Sequence, residues 1–258
     1  MLRWVLLLPV FLFLCAIIGG PLAVAFERHP RFDTWREARA GSVEPAGLAA
    51  PAGPGTPAVV QVYAARTWGS RRPFAVHTWI AVKPAEADRY ELHHVMGWRR
   101  NRGLPVVVRE QGEPDLPWYG AAPTLLLDLR GPEAEPLIEE IRDAAARYPW
   151  QREYRAWPGP NSNTFVAWVG REVPGLGLDL PSTAIGKAYV EIDEALGPSV
   201  SGSGVRASLW GVASLSAGLE EGVEINLFGL HAELDLFDLA VELPGVGRIG
   251  RPEVRADG

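Results

Sequence analysis

Hydrophobic and polar positions follow two different periods along this chain. Apolar, β-branched and aromatic residues dominate five short runs, which predicts five strands. The runs lie at 58–66, 74–82, 90–98, 106–109 and 125–129. Between residues 132 and 148 the period becomes helical. Four apolar residues share one helical face there, namely Leu137, Ile138, Ile141 and Ala145. Strands grouped before helices favour an α+β fold with an antiparallel sheet.

A second helix is expected to begin near Ser162, after a short strand at 154–157. It lies in the segment WPGPNSNTFVAWV, residues 157–169, where Phe165, Trp168 and Val169 have core-facing spacing. Asn and Ser are preferred N-cap residues because their side-chain oxygens accept unpaired backbone N–H groups. One cap accounts for one polar residue, whereas residues 161–164 are four polar residues in a row.

The C-terminal part alternates apolar with small or polar residues from about Gly197 onward, which predicts a β-meander appended to the body. The Glu220-Glu221-Gly222 break is typical of a hairpin turn. We expect one solvated face and one packed face. This region is also rich in carboxylates, at Glu220, Glu221, Glu224, Glu233, Asp235, Asp238 and Glu242.

The N-terminus contains a long uncharged apolar segment. Residues 4–26 are numerous enough to span a bilayer, and Ala23-Val24-Ala25 fits a signal-cleavage pattern. Either interpretation exports the rest of the chain, and the length favours a retained anchor. We therefore expect a membrane-anchored protein whose body lies outside the cytoplasm, on the periplasmic or extracellular side. The predicted organisation is an anchor or signal segment at 1–26, a Pro/Ala/Gly-rich linker at 27–57, an α+β body at 58–196 and a β-rich extension at 197–258.

Composition narrows the chemistry. The net charge of −6 gives no general attraction to nucleic acid, so no nucleic-acid partner is expected. Cys15 is the only cysteine and lies in the apolar segment, so the body has no disulfide, thiolate metal site or cysteine nucleophile. The five histidines show no HExxH or His-x-His spacing, and we expect neither a metal nor another cofactor.

Ser162 is the candidate nucleophile, because the positive end of a helix dipole stabilises negative charge. Such a nucleophile needs a base on a facing element, and His77 in the strand FAVHTWIAV is the candidate. The alternative is that His77 is an ordinary packed histidine and Ser162 only a cap. His93 and His94 point to opposite faces of the next strand, so one of them can share a face with His77. We favour His94 as the third catalytic residue, although both could be ordinary strand residues.

Further candidates come from around the same turn and bind substrate in this hypothesis. Asn161 and Asn163 could donate to an oxyanion. Tyr154 and Trp157 offer aromatic surface, and Lys187 could neutralise a carboxylate or phosphate on a ligand. The alternative for Lys187 is a surface lysine without a role.

These residues resemble the signatures of permuted papain-like folds, which include the NlpC-type, PPPDE and lecithin:retinol acyltransferase-like families. In those families a histidine strand precedes a helix that starts with Asn-Cys-x-x-Phe. Here HTWIAV at His77 and NSNTF at 161–165 match that order, with Ser162 at the cysteine position. The body at 58–190 also resembles an uncharacterised bacterial membrane-anchored family. That resemblance rests on HTWIAVKP, LLLDLRG, WPGPNSNTF and LPSTAIGKAY. The papain-like resemblance implies an antiparallel sheet with the nucleophile-type helix packed on it.

Three functional classes remain open. The first is a cell-envelope hydrolase or acyltransferase that acts on an amide or ester through a Ser-His pair, in which the imidazole takes the hydroxyl proton during attack. The second is a catalytically silent papain-like module that binds a peptide, glycan, lipid or small molecule. The third is a structural envelope protein. We place the first ahead because His77 accompanies the nucleophile-like position.

Overall fold

A computed structural model describes residues 44–235, 239–244 and 247–250, together with the backbone of 255–256. The apolar segment at 1–26 and the first part of the linker lie outside the described residues. Within the described ranges, no helix combines the length and apolarity that crossing a bilayer requires.

The first sheet carries most of the body. Its six strands are β1 (Val59–Arg66), β2 (Val76–Lys83), β3 (Tyr90–Val95), β4 (Val107–Gly112), β5 (Thr124–Arg130) and the C-terminal β13 (Arg255–Ala256). They lie in the order β13-β5-β1-β2-β3-β4. All neighbours are antiparallel except β13, which runs parallel to β5. The five strands predicted from the hydrophobic runs correspond to β1–β5.

Two α-helices of the described chain pack on one face of this sheet. They are α1 (Ala134–Arg147) and α2 (Ser162–Glu172). Ile80 from β2 lies in one buried cluster with Ile138 from α1 and Phe165 from α2. The helix predicted from the 3.6-residue period is therefore confirmed, as is a helix beginning at Ser162. Mixed sheets and helices of this kind are compatible with the predicted α+β class.

The opposite face of the first sheet has its own smaller core, which includes Tyr63, Trp79 and Tyr90. The segment Leu48 to Ala50 packs against this core. Asp115 holds the segment, because its Oδ2 accepts the backbone N–H of Leu48 at 2.7 Å. Residues 44–57 were expected to be linker from their composition. They are instead ordered against the sheet, because a buried carboxylate and the aromatic core give them partners.

The second sheet is a seven-stranded antiparallel meander. Its strands are β6 (Leu196–Pro198), β7 (Val205–Leu209), β8 (Ala213–Gly218), β9 (Gly222–Leu227), β10 (Leu230–Asp235), β11 (Ala240–Leu243) and β12 (Gly247–Ile249). Each strand pairs with its neighbours in sequence. The expected hairpin turn separates β8 from β9. Residues 154–157, by contrast, are irregular and not a strand. Prolines at 158 and 160 follow directly and cannot donate to a ladder.

The polar side of this meander is the packed side. Five of its carboxylates are buried, at Glu221, Glu224, Glu233, Asp235 and Glu242. Cations meet them on that side, since the buried Lys187 pairs with Glu224, and the half-buried Arg248 pairs with Asp235 at 2.6 Å. The large aliphatic side chains of the same strands are exposed. The sequence showed that apolar and polar residues alternate along these strands. The polar side chains face inward because the cations supply their partners.

Candidate functional site

The first turn of α2 is closed by a capping box. The Asn161 side-chain oxygen accepts the backbone N–H groups of Asn163 and Thr164, at 2.9 and 3.1 Å. In return, the Thr164 hydroxyl accepts the backbone N–H of Asn161 at 3.0 Å. This reciprocal arrangement satisfies several of the N–H groups that a helix start leaves unpaired.

The amide nitrogens of Asn161 and Asn163 tie the helix to its surroundings. Asn161 Nδ2 donates to the carbonyls of Ala156 and Ile185, at 3.1 and 2.9 Å. Asn163 Nδ2 donates to the carbonyls of Val76 and Ile185, at 3.1 and 2.8 Å. Because an amide NH₂ has two hydrogens, both groups are fully used. The expected oxyanion contacts from these two side chains therefore have no N–H left to make.

The loop that receives these bonds requires a glycine. Gly186 has a φ of +96°, and a Cβ there would lie 2.4 Å from Asn161 Nδ2. Only glycine fits this conformation and this close approach. The stretch TAIGKAY at 183–189 thus supports the helix start directly.

Among the four polar residues at 161–164, Ser162 is the one whose side chain takes no part in the capping box or in the hydrogen bonds that anchor the helix. Its backbone carbonyl accepts the Thr78 hydroxyl at 3.4 Å. Within residues 44–235, its own hydroxyl makes no hydrogen bond. The Asn161 side chain accepts the N–H groups of Asn163 and Thr164 and not that of Ser162. The hydroxyl and this N–H are therefore the groups of the turn that remain for a ligand.

Ser162 lines a cavity of about 410 Å³ at the start of β2. This volume lies within the usual range for small-molecule sites. The cavity wall combines the α2 turn with aromatic and basic side chains from separate loops. Those side chains are Trp68, Trp98, Trp118, Tyr119, Tyr154, Arg71 and Arg102.

His77 lines the same cavity from β2. Its ring stacks on Trp118, with centroids 3.7 Å apart and planes 13° from parallel. The residue is 5% exposed, and its Nε2 is buried without a hydrogen-bond partner among the described residues. Burial, and to a smaller extent the charge of nearby His94, hold the pKa of His77 well below its ordinary value. The imidazole is therefore neutral at neutral pH, which is the state that a general base needs.

Strand alternation sets how Ser162 and His77 meet. Thr78 faces α2, because its hydroxyl donates to the Asn163 side-chain oxygen at 2.9 Å. His77, one residue earlier, faces the other side of the sheet, toward Trp79 and Trp118. Ser162 therefore lines the cavity from the helix face of the sheet, and His77 lines it from the opposite face, both near the start of β2. Across residues 44–235, no hydrogen bond joins them.

The other candidate residues divide between the cavity and its surroundings. His94 lies on the face of His77, with ring centroids 6.3 Å apart, and its Nε2 lies 3.1 Å from Glu110 Oε1. His93 lies on the helix face and contacts Glu91 at 2.7 Å. Tyr154 lines the cavity and packs so closely on Gly97 that a Cβ there would lie 2.6 Å from its ring.

Trp157 and Lys187 do not line the cavity. Trp157 donates to the carbonyl of Phe228 at 3.0 Å, in the turn between β9 and β10. Lys187 is 2% exposed and pairs with Glu224, so it is neither a ligand-binding group of this cavity nor a surface lysine. Burial alone would lower the pKa of Lys187, but the Glu224 carboxylate outweighs it and keeps the amine charged.

The charge of the cavity could not be read from the sequence. Arg71 and Arg102 line it, whereas its wall includes no Asp or Glu. Trp118, which stacks on His77, was not among the site residues predicted from the sequence. The only local signal was the Pro-Trp-Tyr-Gly run at 117–120, where Tyr119 has a φ of +48° and Gly120 one of +75°. In the described part of the chain, no cluster of His, Cys, Asp and Glu is arranged to hold a metal ion.

Comparison with known proteins supplies the family. No curated protein and no solved structure matches this chain. The model of one sequence family, described as Protein of unknown function (DUF3750), matches residues 57–189. The match covers just over half of the 258 residues and includes β1–β5, both α-helices, Ser162 and His77. The resemblance noted for the body at 58–190 is thereby confirmed at the level of the family, and this chain belongs to the DUF3750 family.

Proposed function

We propose that this protein is a cell-envelope hydrolase or acyltransferase that acts on an ester or amide through Ser162 and His77. The observation that carries the proposal is that only one polar side chain in the first turn of α2 is free of hydrogen bonds to the described residues. Asn161, Asn163 and Thr164 are used in capping and anchoring, while the Ser162 hydroxyl is left facing a cavity that also contains a neutral histidine. A serine nucleophile needs a hydroxyl that is free of structural bonds and a neutral base that can reach it, and the shared cavity supports both requirements.

The reaction proceeds by acyl transfer. Ser162 Oγ forms a bond to the substrate carbonyl carbon while the His77 imidazole takes the hydroxyl proton. The negative charge that develops on the carbonyl oxygen is stabilised by the Ser162 N–H and the positive end of the α2 dipole. His77 then gives its proton to the leaving alcohol or amine as the bond from carbon breaks. Water, or an acceptor alcohol or amine, releases the acyl group by the reverse sequence.

The walls of the cavity favour a substrate that combines an anionic group with an apolar or aromatic part. Arg71 and Arg102 supply positive charge, and no carboxylate of the wall opposes them. The tryptophans and tyrosines offer flat apolar surface. The chain as a whole has a net charge of −6 and repels anions. The positive charge of the cavity therefore favours anionic substrates at this one place.

Membrane anchoring by residues 1–26 and a papain-like origin of the site belong to the same proposal. The order of histidine strand and nucleophile helix supports the papain-like relationship. The uncharged apolar segment supports anchoring, with the body outside the cytoplasm. A substrate of the envelope would then be presented to the cavity at the membrane.

A silent binding module is the second candidate function. The absence of a hydrogen bond between Ser162 and His77 within residues 44–235 favours it. In that case the aromatic wall and two arginines bind an anionic ligand, and Ser162 contributes only a polar contact.

A pair of chromogenic aryl esters separates the two candidates. One carries a neutral acyl group and the other an acyl group of equal length that ends in a carboxylate. The hydrolase proposal predicts release of the phenol from both, about 3- to 10-fold faster for the charged ester. The double variant Arg71→Gln/Arg102→Gln should lose that preference, and Ser162→Ala should lose turnover. Binding of the charged ester without turnover by the unaltered chain would assign the binding module instead.

A further inference from the structure

The outward face of the second sheet is aliphatic across its whole width. One row of side chains in register crosses six strands, made up of Val205, Ala217, Val223, Leu234, Val241 and Ile249. We call the outward residues of β6–β12 the aliphatic face. Every one of them is aliphatic, glycine or proline. The aliphatic face extends to exposed positions such as Ile225, which is 51% exposed.

This arrangement reverses the usual order of an antiparallel sheet. Such sheets commonly turn polar residues to water and apolar residues to the core. Here the polar residues are buried and paired, so the aliphatic face is what the molecule presents outward. An exposed apolar patch of this extent marks an interaction surface.

The size of the face suits a second sheet of the same kind. Seven strands about 4.8 Å apart, each about five residues long at about 3.4 Å per residue, span roughly 550 Å². Protruding side chains add accessible surface to this flat area, and each partner contributes ~800 Å² to a standard interface. Two such faces would stack about 10 Å apart, as the inner faces of a β-sandwich do.

The layout of the face is also self-complementary. β9 is the central strand, with three strands on either side. A twofold axis through its middle residue, Ile225, would lay each half of the face over the opposite half of a second copy. Because the face carries no charge, self-pairing brings no like charges together.

Charge argues against a lipid surface as the occupant. Membrane-surface sites carry Lys and Arg around their apolar residues. Within residues 191–235, 239–244 and 247–250, the exposed charged residues are acidic, at Glu191, Asp193, Glu194 and Glu220. The two basic residues of these ranges, Arg206 and Arg248, are turned to the packed side. An anionic membrane would repel this rim.

We propose that the aliphatic face is covered by a second copy of this chain, in a face-to-face homodimer centred on Ile225. The site at Ser162 does not take part in this interface, so the two proposals fail or succeed separately.

One variant and one matched control variant test the dimer by mass. The full chain, in a mild non-ionic detergent, should sediment with twice the mass of one chain. Ile225→Glu should sediment with the mass of one chain, because a charge would enter the centre of the interface. Ile192→Glu is the matched control, since Ile192 is 52% exposed but lies outside the second sheet. It should keep the mass of two chains.

Cross-linking tests the same contact in intact membranes. In a Cys15→Ser background, Ile225→Cys should form a cross-linked dimer with a short bis-maleimide. Glu139→Cys, on the exposed side of α1, should form none. A monomeric parent chain, or equal masses for the parent and Ile225→Glu, would overturn the proposal. A monomer whose binding to lipid vesicles is lost in Ile225→Glu would also overturn it and assign the face to a membrane.

Discussion

The Asn163 side-chain oxygen accepts a hydrogen bond from the Thr78 hydroxyl at 2.9 Å, which joins the first turn of α2 to the strand that carries His77. The same asparagine donates to the carbonyl of Val76, on the other side of His77. Bonds on both flanks of the histidine fix where the strand starts relative to the helix. The position of Ser162 against His77 is therefore set by buried hydrogen bonds and not by a direct contact between them.

This arrangement predicts unequal effects of two neighbouring alanine substitutions on stability. Asn161→Ala removes the cap, leaves the carbonyl of Ala156 without its donor and takes one of two donors from the carbonyl of Ile185. The free energy of unfolding should therefore fall by about 2–3 kcal/mol. Ser162→Ala should cost less than about 0.5 kcal/mol, because its hydroxyl holds nothing in place. Urea unfolding of both variants measures the difference. Equal losses would mean that Ser162 is part of the cap.

Lys187 should be critical to the packing of the second sheet. Lys187→Met leaves Glu224 buried without its cation, which should cost about 3–5 kcal/mol of unfolding free energy. The carboxylate depends on that cation. Burial would raise the pKa of Glu224, and Lys187 followed by His231 reverses this and holds the pKa at about 2. The double variant Lys187→Met/Glu224→Gln should recover part of the loss, as measured by denaturant midpoints. A single variant as stable as the parent would contradict the ion pair.

The stability of the fold should fall as the solution becomes mildly acidic. Burial lowers the pKa of His77, His93 and His94 below the ordinary value of 6.5. The unfolded chain therefore binds more protons than the folded chain below about pH 6.5. This contribution to stability is complete above that pH and is lost as the pH drops, with a slope of up to about 1.4 kcal/mol per pH unit for each histidine.

Urea unfolding between pH 7.5 and pH 5.5 measures that slope. His77→Phe preserves an aromatic ring against Trp118. It should reduce the slope of unfolding free energy against pH by the contribution of one proton. A stability that stays flat over this range, or a slope that His77→Phe leaves unchanged, would contradict a neutral buried imidazole.

Local patterns predicted the secondary structure well, because helical and strand periods are properties of neighbouring residues. The face of Leu137, Ile138 and Ile141 is buried as expected, and the histidine strand and the start of α2 at Ser162 are where the sequence placed them. The irregular segment at 154–157 shows the limit of such patterns. A short strand was predicted there, but the prolines that follow prevent a ladder.

Local patterns did not show which side chains that are distant in sequence come together in the fold. The alternation of the C-terminal strands does not say which set faces the core, and the answer depends on Lys187, which lies before β6 in sequence. The cavity likewise joins Arg71, Trp98 and Trp118 from three separate loops. Asn161 and Asn163 were expected to bind substrate because their chemistry permits it. Their partners, the carbonyls of residues far away in sequence, could be known only from the fold.

The proposed function requires that Ser162 is a nucleophile whose base is His77. Reaction of the full chain with a phosphonylating serine probe, followed by intact mass and peptide mapping, tests this pair. We expect one adduct per chain on Ser162, none in Ser162→Ala, and none in His77→Phe even though that variant stays folded by circular dichroism. An unlabelled parent chain, or labelling of Ser162 that persists in His77→Phe, would contradict it.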